Sequence, residues 1–475
     1  MQIFVHSEPN AEDNAALQAW YSRSNKSVLK HLEKLSTQGS GKFMDQIFIQ
    51  YGHASVGDLG VTTVYLEGIS MLAAKAIEDT PLFNGQECSS RYIDFSTVEY
   101  ALYVGQEEDP NKAVLMREVQ EDLRRFYVSS LPIMEEHIKA QFPIKDGEAQ
   151  SIYDKAVKAR VFDILRAFLP CGATTNVAWS GTLRTMKERL ELLLHHPLRE
   201  VRLIAARTYE ILYEKYPHSF LKPYADLYHT EAFGAGIEQS LLAMEETEDH
   251  RHMSKLGHFY SDILINGDPE DMLCHITYPE TLYIKDTGDI PADYMQLLSS
   301  HPRRKAPTRH DGSREHHLDI EGVIDFGAFR DLQRHRAGYC SMPVVDAHNG
   351  FHAWPFMELT EDLQAEAVKL LDKVKSLDST LIDENQCAQQ RIDNQYFMPM
   401  GMLVPFRLSY DIGQAIYVAE LRSGQTVHPT LRPIARGLGT YLKGLGAEVH
   451  FDDRDDGWST RRGTQDIVEK AAVAA

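Results

Sequence analysis

The chain has 475 residues, 43% of them apolar and 25% charged, with a formal net charge of −20. That length predicts two or three domains with room for sizeable cores. The acidic balance excludes generic binding to nucleic acid or to an anionic membrane surface, but leaves room for a local basic pocket around one anionic ligand.

The cysteines Cys88, Cys171, Cys274, Cys340 and Cys387 form no C-x-x-C pair, which predicts reduced thiols in a cytoplasmic protein. Met1 to Ser7 lacks a basic segment ahead of an apolar run, so no signal peptide is expected. No apolar run nears the roughly 20 residues that span a bilayer.

Residues 11 to 50 predict helices: Leu17, Trp20 and Tyr21, then Val28, Leu29, Leu32 and Leu35, recur at helical spacing. Phe43, Ile47 and Phe48 extend the pattern to Tyr51-Gly52, where glycine suits a helix end. Val61 to Glu67 alternates as a strand, and Ile69, Leu72, Ala73 and Ala76 read as the helix after it. Next comes Glu87-Cys88-Ser89-Ser90-Arg91-Tyr92. In an extended segment Glu87, Ser89 and Arg91 share one side. Arg91 could fork onto a phosphate, Ser89 donate to it, and Glu87 order a sugar or base.

Residues 110 to 165 predict two helices, with stripes of Val114, Leu115, Val119, Leu123, Phe126 and Tyr127, then Ile152, Ala156, Ala159, Val161, Ile164 and Leu165. Pro170 ends this run. A further helix pair is expected over roughly 173 to 193 and 198 to 215. The stretch from about 226 to 258 is acidic and predicts a surface connection. The tail from Asp452 predicts a solvated end. His-x-His at His250 and His252, His316-His317 beside Glu315, and His195-His196 each lack a further ligand at a settled metal-site spacing. Trp354 and Phe356 read as core or lid residues.

Gly52-His53-Ala54-Ser55, the strand, the helix and Glu87-x-Ser89-x-Arg91-Tyr92 together resemble the flavin-dependent thymidylate synthase family (thymidylate synthase complementing protein). Pro170, Thr175, Trp179 and Arg184 sit where that family has Pro, Thr, Trp and a nucleotide-binding Arg, with Thr182 in place of its Asn. The family's Arg-His-Arg, which precedes the Glu, is replaced by Ile77-Glu78-Asp79 and turns up later as Arg334-His335-Arg336.

The chain also matches itself. Placing Ile77 opposite Arg334 sets His53 opposite His310 and Val61 to Glu67 opposite Leu318 to Ile324. Pro170-Cys171-Gly172 pairs with Pro399-Met400-Gly401, and His196-Pro197-Leu198-Arg199 with His428-Pro429-Thr430-Leu431-Arg432. The expected fold class is α+β, two tandem copies of a domain like the flavin-dependent thymidylate synthases, each an antiparallel sheet with packed helices. The copies would cover 1–235 and 258–475, with an acidic connection at 236–257.

The losses are complementary. The first half keeps Glu87, Ser89, Arg91 and Arg184; the second keeps the triplet, and Gly413 stands at the arginine position. The resemblance implies reductive methylation of a pyrimidine nucleoside monophosphate, dUMP to dTMP, with FAD, NADPH and methylenetetrahydrofolate. It implies Arg184 as the catalytic and substrate-binding arginine, Glu87, Ser89 and Arg91 as substrate-binding, and Arg334, His335, Arg336, His53 and His310 as flavin-binding. It also implies a homodimer that rebuilds a tetramer-like assembly.

Overall fold

The computed structural model describes residues 1–7, 10–50, 53–91, 94–102, 110–220, 276–277, 282–286, 316–381 and 387–453. The chain divides into two compact units, each discontinuous in sequence: residues 1–88 with 173–240, and residues 89–172 with 241–475. The acidic connection expected at 236–257 lies outside the described residues, as do His310, Tyr92, His250 and His252.

In the first unit, β1 (Gln2–His6), β2 (Val61–Ser70), β3 (Asn84–Glu87) and β4 (Thr174–Thr182) form an antiparallel sheet in the order β1-β2-β4-β3. β4 overturns the helix expected to begin near 173. Thr175, Val177, Trp179 and Gly181 are buried while their neighbours are not, a period of two that only a strand satisfies. The buried face meets the helices Met71–Glu78, Leu183–Leu193 and Arg199–Lys215 through Val64, Leu66, Met186, Leu190, Ala205 and Tyr209.

The helices Ala11–Tyr21 and Val28–Gln38 form as expected. A satellite core of Ala15, Ala16, Ala19, Trp20, Met44, Phe48 and Val56 holds the first of them. Val28, Leu29 and Leu32 are exposed, so their spacing predicted the helix but not its buried side.

In the second unit, β6 (Tyr283–Asp286), β7 (His317–Asp325), β8 (Gly338–Ser341) and β10 (Leu403–Asp411) form an antiparallel sheet in the order β6-β7-β10-β8. A short parallel pair, β5 (Ile276–Thr277) and β9 (Phe351–His352), adjoins it in sequence. Helices Phe326–Gln333, Ile412–Arg422 and Arg432–Gly444 accompany the sheet, and Pro110–Gln141, Gln150–Leu165 and Glu361–Leu381 form a helical layer. Within that layer Phe168 lies 4.7 Å from Phe126 and 4.9 Å from Phe351 between ring centroids. Val119, Leu123, Phe126 and Tyr127 are buried, whereas Val114 and Leu115 face solvent. The fold is thus mixed α and β with antiparallel sheets. No helix among the described residues is long and apolar enough to cross a membrane.

The sheets share one strand order and one register. β4 and β10 correspond at a constant spacing of 229, from Thr174 with Leu403 to Thr182 with Asp411. β2 and β7 correspond at 256 from Val61 with His317 up to Glu67 with Val323, then at 255 from Ile69 with Ile324. The change falls at a bulge where Gly68 takes φ of 67°, a backbone state that glycine adopts without penalty. Ser70 and Asp325 then cap equivalent helices.

This corrects the spacing of 257 read from sequence. Ile77 stands opposite Leu332, and Arg334-His335-Arg336 stands opposite Asp79-Thr80-Pro81. A slip of one or two residues was invisible to motif matching because the bulge absorbs it. In a strand, one residue of slip exchanges the buried and exposed faces.

At the end of the helical layer the match becomes contact. Cys171 N–H donates to Met398 O at 2.7 Å and Met400 N–H to Leu169 O at 2.8 Å. Gly172 N–H donates to Tyr396 O at 3.0 Å and Gly401 N–H to Ala167 O at 2.7 Å. These bonds are reciprocal under the same spacing of 229, and Pro170 lies opposite Pro399 at their centre.

Candidate functional site

The strand expected to carry Glu87, Ser89 and Arg91 ends at Glu87. Ser89 Oγ accepts the Arg91 N–H at 3.3 Å and helps close a turn, so the three side chains do not alternate along one strand. Arg91 is buried. Its Nε and Nη2 fork onto the two oxygens of Asp163 at 2.7 and 3.0 Å, and Nη2 also reaches Thr426 O at 3.2 Å. The fork read from sequence is thus present, but it grips a carboxylate of the chain itself.

Arg334-His335-Arg336 follows the helix Phe326–Gln333, with Arg334 as its C-cap. Arg334 is exposed, Arg336 half-buried and His335 buried. Arg422, the last residue of helix Ile412–Arg422, donates from Nε to His335 Nε2 at 2.8 Å and from Nη2 to Asp331 O at 2.9 Å. Burial, reinforced by Arg422, drives the His335 imidazole down to a pKa of about 3, so it is neutral at physiological pH.

The two motifs meet around Asp331. Burial alone would raise this carboxyl, but Arg422, Arg166, Arg334 and Arg91 outweigh it and hold the pKa below the ordinary aspartate range. Arg166 is buried, with Nη1 3.5 Å from Ser90 Oγ and, among the described residues, no hydrogen-bond partner for Nη2. Burial brings its pKa down to about 10, against the pull of Asp331. Asp325, raised by burial, caps the triplet's helix through Ala328 N–H at 2.9 Å.

His428 closes the cluster. One ring nitrogen is 2.8 Å from Thr430 Oγ1 and the other 3.1 Å from Asp163 O. Burial, with Arg166 and Arg91 nearby, keeps its pKa well below the usual histidine range. Trp354 packs edge-on against it at 5.2 Å, while Phe356 is core. The arrangement is a solvent-shielded set of guanidiniums and carboxylates with one flank, Arg334, open to water. Chemically, it can hold an anion or polarise an acceptor group.

The same spacings place Met342, Val344 and Asp346 opposite Glu87, Ser89 and Arg91. Asp346 pairs with Arg391 at 2.7 Å, on the helix Cys387–Asn394 that corresponds to the one carrying Asp163. A loop-to-helix ion pair therefore occurs at both places with its polarity reversed.

Arg184 and His53 belong to the first unit, apart in sequence assignment from Arg91 and the triplet. Arg184 is the second residue of helix Leu183–Leu193, as Gly413 is of Ile412–Arg422. It is substantially exposed and pairs with Glu188 at 2.8 Å and Asp58 at 3.1 Å. His53 is an exposed residue that precedes the short helix Ala54–Leu59. Glu87 ends β3, paired in register with Val177.

Sequence reading missed Asp163, Arg166, Asp331 and Arg422. Each is a single polar residue on or at the end of a helix, with no motif around it to mark it. His428 carried a signal, the His-Pro match to His196-Pro197, and each histidine's Nδ1 accepts the N–H two residues on. Among the described residues no three His, Cys, Asp or Glu side chains gather as a metal site.

Residues 4–218 match the family model for thymidylate synthase complementing protein. The chain is 26% identical over 435 residues to a UPF0159 protein of Chlamydia muridarum, covering 85% of this chain and 78% of that one. It is 25% identical over 496 aligned positions to a UPF0159 protein of Thermoplasma acidophilum, covering 94% and 96%. Among solved structures it is similar to the flavin-dependent thymidylate synthase ThyX of Helicobacter pylori complexed with FAD and dUMP. That likeness has 14% identity and a TM-score of 0.31, and covers 46% of this chain and 98% of the other.

Proposed function

Residues 4–218 match the family model for thymidylate synthase complementing protein, and from that likeness we propose that the chain is a flavin-dependent enzyme that reductively methylates a pyrimidine nucleotide. The reaction is dUMP to dTMP, with methylenetetrahydrofolate as one-carbon donor and NADPH as reductant. The observation that carries this reading is that Arg91 of the first motif and Arg334 of the second, in one unit, both act on the buried Asp331 carboxyl, together with Arg166 and Arg422.

The chain is two diverged copies of one domain, 1–235 and 258–475, joined by 236–257. The recurring strand order, the shared register and the reciprocal hydrogen bonds at a spacing of 229 support this. The likeness to the UPF0159 proteins runs across both halves, as expected of a unit inherited whole. Two such chains would associate into a tetramer-like homodimer.

The residues fit FAD. Its diphosphate is anionic, and Arg334 and Arg336 are cations at the solvent side of the cluster. Arg166 Nη2 is a buried donor without a hydrogen-bond partner among the described residues. The bound cofactor would supply hydride chemistry, which no side chain can provide. Arg334, His335 and Arg336 would hold it, and the family resemblance implies His53 and His310 as further flavin-binding residues. Ser89 and Arg91 bind the nucleotide phosphate, Glu87 orders its sugar or base, and Arg184 stabilises negative charge developing on the pyrimidine. Both arginines must exchange a carboxylate partner for the ligand: Asp163 for Arg91, and Glu188 or Asp58 for Arg184.

That requirement also favours a second reading, a flavin- or nucleotide-binding relative without turnover. The visible spectrum of the purified protein, before and after adding dUMP, tests the first. A flavin band that shifts with the nucleotide supports a composite site, and a protein that stays colourless in added FAD refutes it. Exchange of the dUMP ring proton separates turnover from binding alone.

A further inference from the structure

The His335–Arg422 contact has only one consistent protonation. An arginine Nε carries a hydrogen and accepts nothing, so at 2.8 Å the imidazole Nε2 must offer its lone pair. A neutral ring with Nε2 as acceptor carries its proton on Nδ1. A doubly protonated ring would set one N–H against another.

We propose that Arg422 is a positioning residue that fixes His335 as the neutral Nδ1–H tautomer, so that the triplet offers two cations and, between them, one uncharged N–H donor. Such a set suits a ligand that is anionic at one end and carries a neutral acceptor, a carbonyl oxygen or ring nitrogen of a heterocycle, at the other. This rests on the flavin reading for the identity of the ligand, and on geometry alone for the tautomer.

Arg422 is itself held. Its Nη2 donates to Asp331 O at 2.9 Å, and Nη1 lies 3.8 Å from Asp331 Oδ1. The Tyr417 ring stands edge-on to the imidazole at 6.1 Å, on the same helix as Arg422. The charged groups facing His335 are therefore Asp331 and Arg334 on its own element and Arg422 across from it. Two of the three are cations that oppose protonation, in the same direction as burial. The equivalents in the first unit are Thr80, 255 residues before His335, and Leu193, 229 before Arg422. Neither partner has a counterpart there, so the lock accompanies the one triplet in the chain.

The test is a heteronuclear NMR spectrum of the full chain with its histidine rings labelled with nitrogen-15. The expected result is a His335 signal with the hydrogen on Nδ1, unchanged from pH 8 to pH 5. In Arg422→Met the ring should titrate nearer pH 6.5 and FAD affinity should fall about tenfold, while Arg422→Lys, which keeps a donor, should recover part of both. A wild-type His335 that titrates near 6.5, or carries its hydrogen on Nε2, overturns the proposal even if Arg422→Met does not fold. A locked tautomer in a protein that takes up no FAD upholds the assignment of Arg422 and overturns the flavin reading instead.

Discussion

Arg91 and Asp346 occupy corresponding places in the loops after β3 and β8, and each pairs with an opposite charge on a later helix, Asp163 on Gln150–Leu165 and Arg391 on Cys387–Asn394. One loop thus carries a guanidinium where its counterpart carries a carboxylate, so only the first can offer a cation to a phosphate, once Asp163 gives way. Calorimetric titration with dUMP should give one nucleotide per chain. Two per chain would contradict the division of labour between the halves.

The Arg91–Asp163 pair is buried, so breaking it on one side should be costly. Asp163→Ala leaves a guanidinium without its counter-charge, and such losses run to about 3–5 kcal/mol. The urea midpoint should fall accordingly. Arg91→Met with Asp163→Leu should recover most of that loss, because two apolar groups leave no stranded charge. The exposed pairs Arg184–Asp58 and Arg184–Glu188 should matter little to stability, since about 40% of the Arg184 side chain is open to solvent.

Ligand binding should separate the two arginine sites. Arg334→Ala is expected to strip flavin, with at least tenfold weaker uptake read from the visible band. Arg184→Ala should retain flavin and abolish nucleotide turnover. If both variants keep flavin and activity, the divided site is wrong.

Acid should destabilise the fold early. His196, His335 and His352 are held by burial at pKa values of about 3, and His428 also lies well below the usual 6.5. Below pH 6.5 the unfolded chain takes up protons that the folded chain refuses, so stability falls with pH. Each such histidine contributes a slope of up to about 1.4 kcal/mol per pH unit. The loss continues until the folded values are reached. Asp331, with its lowered pKa, adds to the loss in stronger acid, whereas Asp325 and Asp378, raised by burial, work the other way. Urea unfolding at pH 7, 6 and 5 should show a steady decline, and a flat profile would contradict the neutral burial of these rings.

Gly172 is a packing test. A β-carbon there would lie 2.6 Å from Tyr396 O and 2.7 Å from Ala101 O, both backbone atoms with no freedom to swing aside. Gly172→Ala should therefore cost about 1–3 kcal/mol, typical of overpacking, measured as a lower unfolding midpoint.

Local pattern was legible in the sequence wherever one side chain reported on its own element. The strand at Val61, the helices after it and the Arg-His-Arg triplet were read on that basis. β4 was not, because Thr174 to Thr182 lies between helices and its alternation is carried by threonine, alanine and glycine as much as by Val177 and Trp179. The motif match between Pro170 and Pro399 was visible, but the register that relates the two sheets was not, because only the backbone at Gly68 shows where a residue is gained. The candidate site was half legible. Arg91 and Arg334 belong to motifs, while Asp163, Arg166 and Arg422 are isolated polar residues whose meaning comes from tertiary partners 72 or more positions away.

The bonds that tie Cys171 to Met398 and Met400 to Leu169 are made by main-chain atoms alone. Side chains on either side of that seam can drift without weakening it, which allows one loop to become acidic while its counterpart stays basic. Because both edges of the seam lie on one polypeptide, it cannot be pulled apart by dilution, as a contact between separate subunits can. Asymmetry between the two sides is therefore free of the constraint that a symmetric dimer imposes, where every substitution appears twice.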